Sequence, residues 1–288
     1  LKEKINECLK LQDELNKKID TNWKNIRTRE DFFRAIWLEC AESVESLPWK
    51  WWKKIEPDIQ NLEIELADIF HFVLSLVLME RNPDLSYFYK GLNKDFSDLK
   101  DIEGDYINHY LALKYKEENT KIYIYLIERI AEKALKQDLN GVLFFFGIVV
   151  SEVFNFDKLY LLYIGKNILN HIRQEKGYKS GNYQKVIGGL EDNKYLLNVI
   201  KEVDSKDELE EKLRNVFNSL LVKINMSKKA LKQMEDTVKE ILIKKGHSEE
   251  KAELIANELS QGKWTHDYSL IYDYLKSLEL NVSTQMPE

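Results

Sequence analysis

Two pairs of carboxylates, Glu39 with Glu42 and Glu65 with Asp68, carry the clearest chemical signal in this 288-residue chain. Each pair is three residues apart inside an apolar, helix-patterned segment, WLECAESVE in one case and EIELADIFHF in the other. Residues at that spacing share one face of a helix, so each pair presents its oxygens together. The flanks are apolar: Ala35, Ile36, Leu38, Ala41 and Val44 in the first segment, Leu66, Ile69, Phe72, Val73 and Leu76 in the second. Four carboxylates in such surroundings repel one another and resist desolvation unless a cation sits among them. Oxygen-only donors suit a hard divalent ion, Mg2+ ahead of Zn2+ or iron. The stretch from Phe33 to Glu80 therefore reads as a metal site built across two helices. His71 follows Asp68 by three residues, where it could support an inner ligand from a second layer or simply be a satisfied core histidine.

A second cluster follows a hundred residues later. Lys166, Asn170 and Arg173 fall at i, i+4 and i+7 of a helix and form a cationic face, with Asn167 beside them. Gly177 then stops the helix, and a Gly-rich turn supplies Tyr178, Lys179, Tyr183 and Lys185. Alone, such a run is a solvated face. Opposite an acidic metal site it is the minimum for a polyphosphate, with Mg2+ on one side and Lys and Arg on the other. Near the N-terminus, Gln12 and Asn16 lie one helical turn apart, either as a core-edge amide pair or as donors and acceptors for a polar ligand edge. The connector SLPWKWWKKIEPD, with three Trp in four positions, plugs the end of a bundle or offers one ring to a planar ligand.

The elements that must position these residues are helices. Only 11 Gly and 4 Pro interrupt the chain, and the expected class is all-α. Apolar periodicity predicts a helix over residues 1–20, a loop from Thr21 to Arg29 containing Trp23, and a capping box at Thr28–Asp31. Residues 81–120 read as an irregular connection with one or two short helices, and Lys121–Gln137 as helical again. Val142–Phe156 reads as a buried helix whose pattern continues through Leu159, Leu162 and Tyr163. The net charge of −6 argues against general affinity for nucleic acid or an anionic membrane. Cys8 and Cys40 lack framework spacing and read as free thiols of a reducing compartment. No apolar run reaches the length of a membrane span and the N-terminus is charged, so a soluble, cytoplasmic protein is expected.

Five segments in collinear order, LKLQDELN, ECAE, WKWWK, EIELADIFHF and GKNILNHIRQEKGYKSGNY, resemble the all-α, dimeric-type dUTPases, relatives of the MazG-like nucleotide hydrolases. The resemblance covers roughly residues 1–222 and is closest to the form found in Campylobacter-like bacteria. ExxE followed by ExxD is shared across the wider superfamily, whereas LQxxLN and GKNxLNxxRQxxGYKxGxY point to dUTP. It implies a helical bundle of the NTP pyrophosphohydrolase type that hydrolyses dUTP, and dUDP, to dUMP in a Mg2+-dependent reaction, limiting uracil in DNA. It further implies two or more Mg2+ ions on Glu39, Glu42, Glu65 and Asp68; Glu39, as a ligand placed to contact the attacking water as well, is the residue expected to orient and deprotonate it. Gln12 and Asn16 would meet the uracil and deoxyribose, Asn167 would lie near the nucleoside, and Lys166, Arg173, Tyr178 and Lys185 would grip the phosphates. A homodimer is implied as well. The rival readings are a MazG-like enzyme for another nucleoside triphosphate and an inactive helical scaffold. A di-iron site is disfavoured because it wants two Glu-x-x-His pairs. Residues 223–288 read as a helical extension, and the ending GKWTHDYSLIYDYLKSLELNVSTQMPE resembles the tail of ClpP-class, Ser-dehydrogenase-type proteinases. That piece shows no nucleophilic Ser with its base, so a remnant without proteolytic activity is expected.

Overall fold

The computed structural model describes residues 1–97, 100–116, 118–203, 205–260, 276–278 and 280. The chain forms two compact units, Leu1–Phe217 and Asn218–Glu288.

The first unit is built from α1 (Lys2–Ile19), the single turn α2 (Trp23–Ile26), α3 (Arg29–Glu45), α4 (Ile59–Met79) and α5 (Ser86–Asn93). There follow α6 (Lys100–Tyr115), α7 (Asn119–Leu135), α8 (Leu139–Val153), α9 (Phe156–Glu175), a hairpin of β1 (Val186–Ile187) and β2 (Leu190–Glu191), and α10 (Asp192–Ile200). α11 (Lys206–Lys244) starts here and continues past Phe217. Short polar side chains start α3, α4, α8 and α9, because the first turn leaves N–H groups without partners. At α3 the TRED sequence forms a complete capping box, with Asp31 accepting from the Thr28 N–H at 2.9 Å. Asp58 caps α4, Asp138 caps α8 and Asn155 caps α9, each accepting at 2.9 Å from a first-turn N–H.

α4 and α8 form the centre. α4 packs on α1, α3, α8 and α9, while α8 packs on α5 and α7. Phe70 of α4 stacks on Phe146 of α8, with centroids 5.7 Å apart, and Phe88 of α5 stacks on the same ring at 6.0 Å. Aromatic side chains buried this way contribute roughly 1.5–3 kcal/mol each. α5 and α8 approach at Gly91 and Gly147, where an added Cβ would fall 2.1 Å from the Phe144 carbonyl oxygen and 2.5 Å from that of Phe88. Only glycine permits that crossing.

Three local expectations change. Trp23–Ile26 is a helical turn inside the expected loop, and α6 makes residues 100–115 a long helix. The apolar pattern from Val142 to Tyr163 is split at Phe154 and Asn155, where the axis turns by 103°. Asn155 provides the reason, since its side chain caps a new helix in place of continuing the old one. Among the described residues no single helix is long and apolar enough to cross a membrane.

In the second unit α11 turns at Gly246 (φ +91°) into α12 (Glu249–Ser260). Leu242, Ala252 and Ile255 form its small core, with Val238, Leu259, Leu278 and Leu280 against it. Most of the GKWTHDYSLIYDYLKSLELNVSTQMPE ending lies outside the described residues.

Candidate active site

Helices α1, α3, α4 and α9, with the β-hairpin and the start of α10, enclose a cleft of about 520 Å³. Its acidic end comes from the predicted pairs. Ligand oxygens of Glu39, Glu42 and Glu65 lie within 4.8 Å of one another, and Asn61 donates to Glu65 Oε1 at 3.1 Å. Burial, then the charges of Asp68, Glu42 and Glu65, pushes Glu39 up to about 8. Burial, then Asp68, takes Glu65 to about 7. A set of hard oxygens that resists ionisation is one that a divalent cation would suit, since a bound ion would relieve both penalties at once.

Asp68 lines the same cleft, but its carboxylate accepts from Lys166 Nζ at 2.8 Å. The Lys166 ammonium is 2 % exposed and also donates to Asn193 Oδ1 at 3.1 Å. Thus the acidic and basic clusters, read separately in the sequence, meet in one buried ion pair.

The opposite wall is made of neutral polar groups. Gln12 donates from its amide to Asn16 Oδ1 at 3.0 Å, Asn16 donates to Ser75 Oγ at 3.0 Å, and Ser75 donates to the His71 carbonyl at 2.9 Å. His71 Nδ1 lies 2.6 Å from Gln12 Oε1. An amide oxygen only accepts, so Nδ1 carries the proton and Nε2 is left as an acceptor. Burial holds the imidazole neutral, its pKa lowered to about 3, and Nε2 has no partner among the described residues. His71 thus bonds the amide pair and not a carboxylate. Asn167 is buried off the lining, reaching the Leu11 carbonyl at 3.4 Å and the Tyr163 hydroxyl at 3.5 Å.

At the basic end Arg173 makes four hydrogen bonds. Nε and Nη2 donate to the two oxygens of Asp192, both at 2.8 Å, and Nη1 donates to Asn170 Oδ1 at 3.0 Å. Asp192 is 1 % exposed and also accepts from the Tyr183 hydroxyl at 3.0 Å. Bidentate pairing of this kind fixes geometry. Arg173 therefore clasps α9 to the start of α10, while Lys185, above the Tyr178 ring at 5.8 Å, is exposed at the rim. Asp192 and Asn193 escaped sequence reasoning because EDNK has no periodic or spaced signature. The tryptophans do not plug the bundle: Trp51 is 90 % and Trp52 58 % exposed, packed edge-on to each other.

The fold and cleft define the class as an all-α bundle that joins clustered carboxylates to buried cations. The chain belongs to the dUTPase family, whose profile matches residues 4–178. Lys185, Asp192 and Asn193 lie beyond that match yet line the cleft. A second profile, ClpP-like SDH-type serine proteinase, matches residues 194–288. Two uncharacterized proteins of Methanocaldococcus jannaschii are also similar. One is 46 % identical over 72 residues, which is 25 % of this chain and 24 % of that protein. The other is 38 % identical over 68 residues, 24 % of this chain and 23 % of that protein. The chain thus spans about a quarter of the length of these relatives.

Proposed function

We propose that the chain cleaves the bridge between the α- and β-phosphates of dUTP, and of dUDP, leaving dUMP, with Mg2+ as the cofactor and a homodimer as the working form. One observation carries this reading: a single cleft gathers the carboxylate cluster, the amide and imidazole wall, and the basic rim. Glu39, Glu42 and Glu65, with the Asp68 oxygen not taken by Lys166, would hold the ions. When bound, Mg2+ neutralises phosphoryl oxygens and acidifies a water molecule.

The chain's own groups supply the rest. Glu39 orients the attacking water and takes its proton, and the electron pair of the cleaved P–O bond leaves with pyrophosphate, or with phosphate from dUDP. Lys166 and Lys185 meet the charge that grows on the leaving group. Arg173 adds its field, held in place by Asp192. Tyr178, at the rim, closes over the phosphate end. At the other wall a uracil edge offers one N–H between two carbonyls. His71 Nε2 is the matching acceptor, and the free amide hydrogens of Gln12 and Asn16 are the matching donors. Cytosine, which presents a lone pair in place of that N–H, meets the His71 lone pair and is repelled. Asn167 acts through Tyr163.

Product analysis with dUTP, dTTP, dCTP and UTP, with and without Mg2+, tests the proposal. Mg2+-dependent release of dUMP and pyrophosphate from dUTP alone is expected. Gln12→Ala should narrow the preference for dUTP over dCTP by roughly 10- to 100-fold with a smaller effect on turnover. Equal use of all four nucleotides would move the chain to the MazG-like class, and no turnover of any would refute the enzymatic reading.

A further inference from the structure

α11 runs for 39 residues, Lys206–Lys244, roughly 58 Å at about 1.5 Å per residue. In the second unit it leaves apolar side chains open: Leu231 is 45 %, Met234 46 % and Ile241 52 % exposed. The sequence sets them in a register of seven. Phe217, Ile224, Leu231 and Val238 recur at one position, and Leu220, Met234 and Ile241 follow three residues later, with Ser227 as the polar exception. A seven-residue apolar repeat marks a helix that supercoils against another helix. α12 covers one flank, around Leu242 and Val238, and leaves Leu231, Met234 and Ile241 uncovered.

Charge identifies the occupant. Lys228 and Glu235 hold the same flanking position in successive repeats. If two copies of α11 pair antiparallel, with Leu231 of one against Met234 of the other, each Lys228 faces the Glu235 of the second copy. Two reciprocal ion pairs result, in each of which Lys228 joins the Lys232 that already donates to Glu235 at 3.3 Å within one helix. Parallel pairing sets Lys228 against Lys223, like against like. The antiparallel seam does bring Lys223 near Lys244 at its two ends, where solvent screens them. Exposed ion pairs contribute little to strength, so the apolar layers hold the helices together and the charges choose their direction.

We propose that the part of α11 in the second unit is a self-association helix that pairs antiparallel with α11 of a second copy of this chain. It lies outside the residues matched by the dUTPase family, and the proposal does not rest on the hydrolase reading.

Spin labels on Gln233→Cys of the full chain report it, since Cys8 and Cys40 are buried. An antiparallel pair centred between Lys232 and Gln233 brings the two labels within about 25 Å, given helix axes about 10 Å apart plus the label arms. Lys228→Glu alone, or Glu235→Lys alone, should lower the population of that short distance about tenfold at fixed dilute concentration, and the double reversal should restore it. Leu231→Glu with Met234→Glu should remove it. Absence of the short distance in the otherwise unaltered chain overturns the proposal, whether the seam is then covered by residues 261–288 or by another protein. A short distance that survives both single reversals, or that the double reversal fails to restore, overturns the antiparallel pairing.

Discussion

Glu39→Gln should lower Mg2+-supported dUTP turnover by about 100-fold or more, several kcal/mol of barrier. The same substitution should make the metal-free protein more stable at pH 8, not less. Glutamine keeps the shape but removes one of the mutually repelling, half-buried carboxylates whose ionisation burial opposes. A merely structural glutamate would lose stability and activity together. Asp68→Asn should behave in the opposite way, because it strips the counter-ion from a Lys166 ammonium that is 2 % exposed. Removing one partner of a buried pair costs roughly 3–5 kcal/mol. Thermal melts of both variants beside product analysis separate the two cases. A Glu39→Gln protein that turns over dUTP normally would remove Glu39 from the chemistry.

Mg2+ affinity should climb steeply between pH 6 and pH 8. Glu39 titrates near 8 and Glu65 near 7, so at pH 6 both hold protons that an incoming ion must displace. Each pH unit below a ligand's pKa weakens apparent affinity about tenfold, so the change across this window is on the order of 100- to 1,000-fold. Metal-free stability has the reverse slope. Both folded-state values lie above the ordinary carboxyl value of 4.5, so the folded chain binds more protons than the unfolded chain in between. The stability conferred by that proton binding is complete below about 4.5 and is lost as pH rises towards 8. Added Mg2+ should therefore raise the melting temperature far more at pH 8 than at pH 6. Calorimetric titration at both values measures the affinity, and equal affinities would show that these carboxylates do not take up the ion.

The carboxylate pairs were legible because their meaning is local. A spacing of three on an apolar helix fixes which way two oxygens point, and α3 and α4 bring Glu39, Glu42 and Glu65 together as that spacing predicts. Gln12 and Asn16 are joined by a hydrogen bond for the same reason, being one turn apart. The state of the cations was not legible. Lys166 and Arg173 read as free hands for phosphate, but their partners, Asp68, Asp192 and Asn193, come from other elements, and nothing in the spacing of α9 announces them. Asn167 read as lying beside the Lys166 face and near the nucleoside, yet its amide meets the Tyr163 hydroxyl instead of the cleft. The break between α8 and α9 was hidden because the apolar residues on either side keep a helical period while Asn155 interrupts the backbone.

The His71–Gln12–Tyr163 junction has a kinetic consequence. Its hydrogen bonds join positions 59 and 151 residues apart in the chain, whereas the Glu39–Glu65 cluster is closed by the single connection from α3 to α4. Loop-closure entropy must be overcome before distant contacts reward it, so short-range pairs form first. During refolding, or emergence from a ribosome, the acidic half of the cleft can assemble while α1 is still undocked. The wall proposed to read the base is completed only when α9 has arrived. Pulse-labelled hydrogen exchange should find the α1 amides protected after those of α3 and α4, and α1 protection arising first would reverse that order.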